Sequence, residues 1–374
     1  MPWKASTAMS QRLEFVELAL KEGANIRALC RQFGITPRTG YKWLHRYWAD
    51  GPAGLFERSR RPHHSPWQCS AVVEAQVLQV RHAHRTWGGR KIRWTLQENG
   101  VSCAPAASTI TAILARHAQL DPGESVKHRA LQRFEMLEPN QLWQMDFKGP
   151  IEMANGQACH PLTVLDDHSR FLVGLRACRR QQGRTVRAQL CELFECYGMP
   201  ERMLMDNGSV WRGYHSRLSY WLIRLGVQVT HGRLFHPQTQ GKDERLHRTL
   251  QSELLDCRTI LDLEDGQRQF DRWREVYNTQ RPHEALGMQP PSRVYVPSPR
   301  PFPGPLPPIE YEPGAIVRMT DCGGRLQYQG QRFRIGKAFR DSLVALRPAS
   351  RDGVWQVYFC KQRIAQINLA RPQP

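Results

Sequence analysis

Apolar residues recur every three or four positions through the first fifty residues and again between about residues 70 and 120, the spacing of helices that each bury one stripe. Met9, Leu13, Val16 and Leu20 make the first stripe. Asn25 then caps a second helix with Ile26, Leu29, Cys30 and Phe33 inward, and Gly34 ends it. Thr36 caps a third helix with Pro37 at its first position. Its stripe predicts Tyr41, Leu44 and Trp48 inside, with Arg38, Lys42, His45 and Arg46 on another face. This is helix-turn-helix patterning, and its third helix suits a DNA major groove. Gly40 within that helix costs about 1 kcal/mol relative to alanine. The Gly/Pro-bounded stretch GPAGLFERSRRPHHSP follows, carrying Arg58, Arg60 and Arg61, and predicts an extended basic arm suited to a minor groove. Stripes at Val73, Val77 and Val80, at Ile92 and Leu96, and at Ile110, Ile113 and Leu114 predict a second such unit. Its recognition face would hold Ser108, Thr109, Thr111 and Arg116.

From about residue 138 the period shortens to that of strands. LWQMDF, HPLTVLDDHS and RFLVGLRAC predict an antiparallel meander. A helix over residues 185–197, a strand ending at Asp206, a helix over 214–225, the strand VQVTHGRLF and a long helix containing Glu244 follow. That order is the one found in ribonuclease H-like α/β domains. A further helix over 263–277 puts Phe270, Trp273 and Tyr277 on one stripe. Nine prolines between Pro290 and Pro308 then exclude helix and central strand and predict an extended linker. Six short β-rich runs from Gly314 onward predict a small C-terminal β-barrel or sandwich. The fold class is therefore multidomain α+β: tandem helix-turn-helix units, a ribonuclease H-like core and a small β-barrel. The expected boundaries are 1–57 and 70–120 for the helical units with an arm at 58–69, a linker at 121–137, the core at 138–285, a Pro-rich linker at 286–312 and the β domain at 313–374.

Charge narrows the partner. Fifty-three lysines and arginines face 34 acids, a net charge of +19, which points to a polyanion and by default to nucleic acid. No apolar run approaches the roughly 20 residues that span a bilayer, and the opening residues lack the apolar segment of a signal peptide. A cytoplasmic, nucleoid-associated prokaryotic protein is expected, with no membrane partner. Ten cysteines are scattered without a C-x-x-C pair and read as buried thiols, not as a zinc site.

Three acids stand out against this background. Asp146 lies mid-strand among apolar residues, where a carboxylate is expensive unless it meets a metal or a partner. Asp206 closes a strand at its carboxyl end, where ligands bind in α/β sheets. Glu244 lies on a helix reached through a loop containing Gly232 and Gly241, expected to be mobile. Such an oxygen-rich set suits Mg²⁺ or Mn²⁺, and two ions per site would activate a water or 3′-hydroxyl and stabilise a leaving oxygen. No side-chain nucleophile is then needed.

WQMDF, TVLDDHSRF, MDNGS, HPQTQGKDERLHRTL and YNTQRPHEALGMQPPS follow one another in that order. Together they resemble the DDE insertion-sequence transposases, whose core is similar to retroviral integrases, over nearly the whole chain. The resemblance implies that Asp146, Asp206 and Glu244 are the catalytic, metal-binding triad and that Asp166 and Asp167 serve the structure. Asp243 is the rival of Glu244, about 100° away around the helix. The chain departs from retroviral integrases in lacking a His-His-Cys-Cys zinc module and in a slightly longer spacing between Asp206 and Glu244.

The function expected is recognition of terminal inverted repeats, hydrolysis of a strand at the element end, and transfer of the 3′-hydroxyl to target DNA by a homodimer or higher oligomer. DNA contacts are expected from Arg38, Thr39, Lys42 and Arg46, from the arm at Arg58, Arg60 and Arg61, and from Ser108 and Thr111. Around the acids they are expected from Asn207, Gln240, Lys242, His247 and Arg248. A regulator derived from a transposase would have no reason to keep all three acids. A nuclease of the same fold leaves the helical units unexplained.

Overall fold

The computed structural model describes residues 7–58, 68–120, 135–206, 216–231 and 241–370. Residues 1–68 and 69–374 form two compact units.

In the first unit, α1 (Ala8–Ala19), α2 (Ile26–Gln32) and α3 (Pro37–Asp50) pack around Phe15, Val16, Cys30, Trp43, Leu44 and Leu55. The caps are those the sequence predicts: Asn25 accepts from the Ala28 N–H and Thr36 from that of Thr39. The stripe of α3 differs. Trp43 and Leu44 are buried, whereas Tyr41 (44% exposed) and Trp48 (60%) face solvent, and Leu20 lies just beyond α1, also exposed. Gly40 accounts for the rotation of that stripe. A Cβ there would lie 2.5 Å from Cys30 Sγ and 2.9 Å from Phe15 Cζ, so the missing side chain lets α1 and α2 seat against α3.

The second unit begins with another trihelical bundle, α4 (Ala71–Ala83), α5 (Gly89–Glu98) and α6 (Ala107–Arg116), closed around Val77, Trp87, Ile92, Leu96, Ile110, Ile113 and Leu114. The core sheet follows. β1 (Trp143–Phe147), β3 (Ala158–Asp166) and β4 (Leu172–Cys178) form the antiparallel meander, with the short β2 (Ile151–Glu152) added at the start of β3. After α7 (Gly183–Tyr197), β5 (Arg202–Met205) joins β1 in parallel. After α8 (Arg217–Arg224), β6 (Gln228–His231) joins β5 in parallel. The lateral order β4-β3-β1-β5-β6 is the ribonuclease H-like arrangement. α7 and α8 cover one face of this sheet. α9 (Gly241–Leu250), a single π-helical turn at Gln251–Leu255, and α10 (Leu263–Thr279) lie on the other.

The proline-rich stretch opens with one 3-10 turn at Pro291–Arg293, contrary to the expectation of no helix, and is otherwise extended, running over the core as a strap. Asn140 Nδ2 donates to the Val296 carbonyl, the Met199 N–H to that of Arg300, and Tyr295 stacks on Phe171 with ring centroids 4.1 Å apart. All six expected C-terminal strands form: β7 (Ile316–Met319), β8 (Arg325–Tyr328), β9 (Gln331–Arg334), β10 (Leu343–Pro348), β11 (Val354–Phe359) and β12 (Gln362–Asn368). They do not close into a barrel among the described residues. β12-β11-β10-β7 make one antiparallel sheet and β8-β9 a separate hairpin, joined by a bridge between Thr320 and Leu326. Closure is unnecessary because the sheets bury their apolar faces against α8, where Tyr220 stacks on Phe359 at 4.7 Å.

Gly40→Ala should destabilise the first unit by about 1–3 kcal/mol through overpacking, although alanine is the better helix former. Adding Cys30→Ala should restore part of the loss. Denaturant unfolding that shows Gly40→Ala unchanged or stabilised removes the close packing at α3.

Candidate active site

Strand alternation decides which side chains meet. Trp143 and Met145 enter the core under α7 and α8, so Gln144 and Asp146 point to the other face of β1, where α9 runs. Thr163 of β3 stands opposite Asp146 in the antiparallel register. Met145 pairs with Met205 in the parallel register, so the residues that follow them, Asp146 and Asp206, lie side by side where β5 ends. The Asp206 carbonyl accepts from His231 Nδ1 at 3.1 Å.

α9 closes over this corner. His247 Nε2 is 3.0 Å from Thr163 Oγ1, which donates to the Asp146 carbonyl at 3.1 Å. Since the threonine proton is used there, the histidine donates from Nε2 and leaves a bare Nδ1 4.0 Å from Asp146 Oδ2. Burial pushes His247 down to about 4, with Lys148 adding to the fall, so at neutral pH the contact joins a neutral ring to the carboxyl and is no ion pair. Asp146 moves the other way. Burial first, and then the charges of Asp206 and Glu244, push its carboxyl up to about 6 against the opposing Phe147 N–H at 2.8 Å. All three acids of the expected triad therefore share one electrostatic neighbourhood.

Neighbouring acids take other roles. Glu244 is exposed at the surface of α9, whereas Asp243 is completely buried and neither of its carboxyl oxygens has a hydrogen-bond partner. Burial holds the Asp243 carboxyl well above the usual range, Asp146 and Asp167 add to this, and Lys242 opposes it. Asp166 closes the β3–β4 turn by accepting from the Asn140 and Ser169 N–H groups and from Ser169 Oγ. Asp167 accepts from Gln144 Nε2, the Met136 N–H and Lys242 Nζ. Thr163 and the burial of Asp243 escaped the sequence reading. A polar residue inside the apolar run PLTVLD was the available signal for the first.

Among the described residues no three His, Cys, Asp or Glu side chains gather at ion-holding spacing. The donors near Asp146 are nonetheless carboxylate oxygens, the chemistry that Mg²⁺ and Mn²⁺ prefer. The Asp146 carboxyl is raised first by burial and then by the charges of Asp206 and Glu244, and a divalent ion relieves that repulsion. The donor chemistry of these residues, and not their spacing, fits such ions.

The expected DNA contacts divide by environment. Arg38 and Lys42 are exposed on α3, in one stripe with Tyr41, His45 and Trp48. Thr39 bonds the cap residue Thr36, and Arg46 lies half-buried with its guanidinium 5.1 Å from the Trp43 ring. Arg58 pairs with Asp50. Ser108 and Thr111 are exposed on α6, where Arg116 pairs with Glu74. Arg248 is exposed, His247 is turned inward to Thr163, and Lys242 is turned inward to Asp167. Arg60, Arg61, Asn207 and Gln240 lie outside the described residues, as do Gly232 and most of its loop.

Comparison with known families assigns the segments separately. A helix-turn-helix domain matches residues 11–63 and a homeodomain-like domain residues 39–114. Two integrase core domain families match residues 137–237 and 225–291, and the C-terminal domain of IS481 family transposases matches residues 315–374. Among similar proteins, the insertion element IS407 uncharacterized 31.7 kDa protein of Burkholderia multivorans is 23% identical over 73% of this chain and 92% of its own length. The insertion element IS476 uncharacterized 39.2 kDa protein of Xanthomonas euvesicatoria is 24% identical over 64% of this chain and 69% of its own. The HTLV-2 integrase catalytic core domain in complex with magnesium aligns with 42% of this chain and 97% of its own at 14% identity, with a TM-score of 0.34. Helix-turn-helix DNA-binding domains, an integrase core and a transposase C-terminal domain thus follow one another along the chain, and the core is of the polynucleotidyl transferase type.

In the metal-free protein, the Asp146 carboxyl followed by carbon NMR should titrate near pH 6. Asp206→Asn should lower that midpoint by removing a repelling charge. Through this group the fold is favoured below about pH 4, and that contribution is lost as pH rises towards 6. A wild-type midpoint near 4 contradicts the crowding of the acids.

Proposed function

We propose that the protein is a DNA transposase that binds its element's terminal inverted repeats, hydrolyses the strand at the element end and transfers the exposed 3′-hydroxyl to target DNA. The observation that carries this reading is the parallel register of β1 and β5, which sets Asp146 beside Asp206, with Asp146 buried and feeling the charges of Asp206 and Glu244. In this reading Asp146, Asp206 and Glu244 hold two divalent ions. Bound there, the ions supply acidification of the attacking water or hydroxyl and stabilisation of the leaving oxygen.

The chain's own groups do the rest. Thr163 and His247 fix the Asp146 backbone and side-chain surroundings, and neutral His247 adds no competing positive charge beside the carboxylate. The exposed stripe of α3 enters the major groove, with Arg38 and Lys42 on phosphates or base edges, and α6 offers Ser108 and Thr111 to a second segment. In domain terms, residues 1–57 and 70–120 recognise DNA, 138–285 carry the chemistry and 313–374 form the terminal domain. Two element ends must be joined, so the working form on DNA is a homodimer or larger.

Strand cleavage and transfer of a labelled terminal-repeat oligonucleotide in Mg²⁺ or Mn²⁺ test the reading. Asp146→Asn, Asp206→Asn and Glu244→Gln should each lose activity by about 100-fold or more, the several kcal/mol that such metal contacts supply, while still binding the repeat. Joining by all three at the wild-type rate removes the triad.

Recognition has its own test. Neutralising Arg38 and Lys42 together should weaken repeat binding and reduce its salt slope by about one for each phosphate no longer neutralised. A salt slope identical to wild type assigns recognition elsewhere.

A further inference from the structure

α9 carries Glu244, and its first turn must be held in place for that residue to face Asp146. The tether visible at that turn is Lys242. Its Nζ lies 2.5 Å from Asp167 Oδ1 and 3.1 Å from the Asp167 carbonyl, and the side chain is only 18% exposed. Asp167 is completely buried, and its carboxylate also accepts from Gln144 Nε2 at 2.6 Å and from the Met136 N–H at 2.8 Å. Gln144 sits two residues before Asp146 on the same face of β1, and Lys242 two residues before Glu244 on α9. One buried carboxylate is therefore bonded to two of the three elements that present the acids, β1 and α9.

Resting on the catalytic reading above, we propose that Asp167 and Lys242 are positioning residues, a cross-brace that sets how closely the Glu244 turn approaches the Asp146 strand. Bonds of this kind, between an ammonium and a carboxylate withdrawn from water, hold their length within narrow limits. Supporting contacts behind metal ligands characteristically change metal affinity or activity about 10–100-fold when removed. The same geometry takes Lys242 away from the phosphate contact expected of it, since its ammonium is engaged inside the fold. Asp167 cannot itself replace a member of the triad, because its oxygens already serve three donors.

The test uses the full chain with Lys242→Met, Lys242→Arg and Asp167→Asn. The first readout needs neither DNA nor metal: hydrogen exchange at the amides of Arg245, Leu246, His247 and Arg248, whose bonds close the first turn of α9. Lys242→Met and Asp167→Asn should speed that exchange about 10-fold or more relative to α10, with Lys242→Arg intermediate. The second readout is the Mg²⁺ concentration giving half-maximal cleavage of a terminal-repeat oligonucleotide. It should rise about 10–100-fold in Lys242→Met, with repeat binding within about 2-fold of wild type. Unchanged exchange in Lys242→Met overturns the brace, as does weakened DNA binding at an unaltered Mg²⁺ requirement, which marks a phosphate contact. Should Lys242→Met fail to fold, the comparison rests on Lys242→Arg, for which wild-type exchange and Mg²⁺ dependence together overturn the proposal. Faster exchange in the variants of a wild-type protein that cleaves nothing supports the brace and sinks the catalytic reading alone.

Discussion

The pairing of β1 with β5 is the constraint on which the site depends. Parallel register sets Met145 against Met205, and both methionines are needed in the core, so the residue after each is forced to the opposite face at the same level. A slip of one residue would bury an aspartate among methionines and expel a core side chain. The hydrophobic demand of Trp143, Met145, Met203 and Met205 therefore holds two carboxylates together that would otherwise repel. The Asp146 carboxyl is raised first by its burial and then by the Asp206 charge held beside it. The third acid comes from α9, whose Leu246 and Leu250 are buried in the second core and fix the helix over the same face.

The remainder of the second unit stiffens this corner from a distance. The proline-rich strap removes backbone freedom while bonding to the ends of α7 and β5, and its aromatic residues Tyr295 and Phe302 pack against Phe171 and Phe194. The C-terminal sheets share one apolar cluster with the helices under β1, so the core face remote from the acids is covered. On the other side Glu253, in the π-helical turn after α9, accepts from Thr86 Oγ1 at 3.2 Å and from Arg281 Nε at 3.0 Å, and Lys91 stands 3.9 Å away. Burial and the nearby Arg281 push that lysine down to about 8. The trihelical bundle is thereby tied to the helix that bears Glu244, a direct route from the module suited to DNA to the acids.

Much of this was legible in the sequence because period and caps are local. Asn25, Thr36 and Pro37 announce helix starts with their own chemistry, and every C-terminal strand is a short β-branched or aromatic run between turn residues. What escaped depends on partners. The stripe of α3 was misplaced because Gly40 permits a close approach of Cys30 and Phe15, which no periodicity within α3 reveals. A barrel was expected where an open sheet and a hairpin occur, since the strands alone do not disclose that α8 supplies the missing apolar surface. Lys242 is expected at the DNA, yet its ammonium is engaged by Asp167, seventy-five positions away in sequence.

Three successive residues of α9 show how far position outweighs residue type. Lys242, Asp243 and Glu244 are all charged by sequence, yet the helix turns about 100° at each step and meets three environments. The first finds a buried carboxylate and becomes part of the fold. The second is completely buried with no hydrogen-bond partner, and burial first, then Asp146 and Asp167, hold its carboxyl well above the usual range. The third is exposed to solvent, and its charge acts on Asp146. Residue type alone therefore does not assign a role on this helix: burial and neighbours separate a tethered lysine, a buried acid and an exposed one.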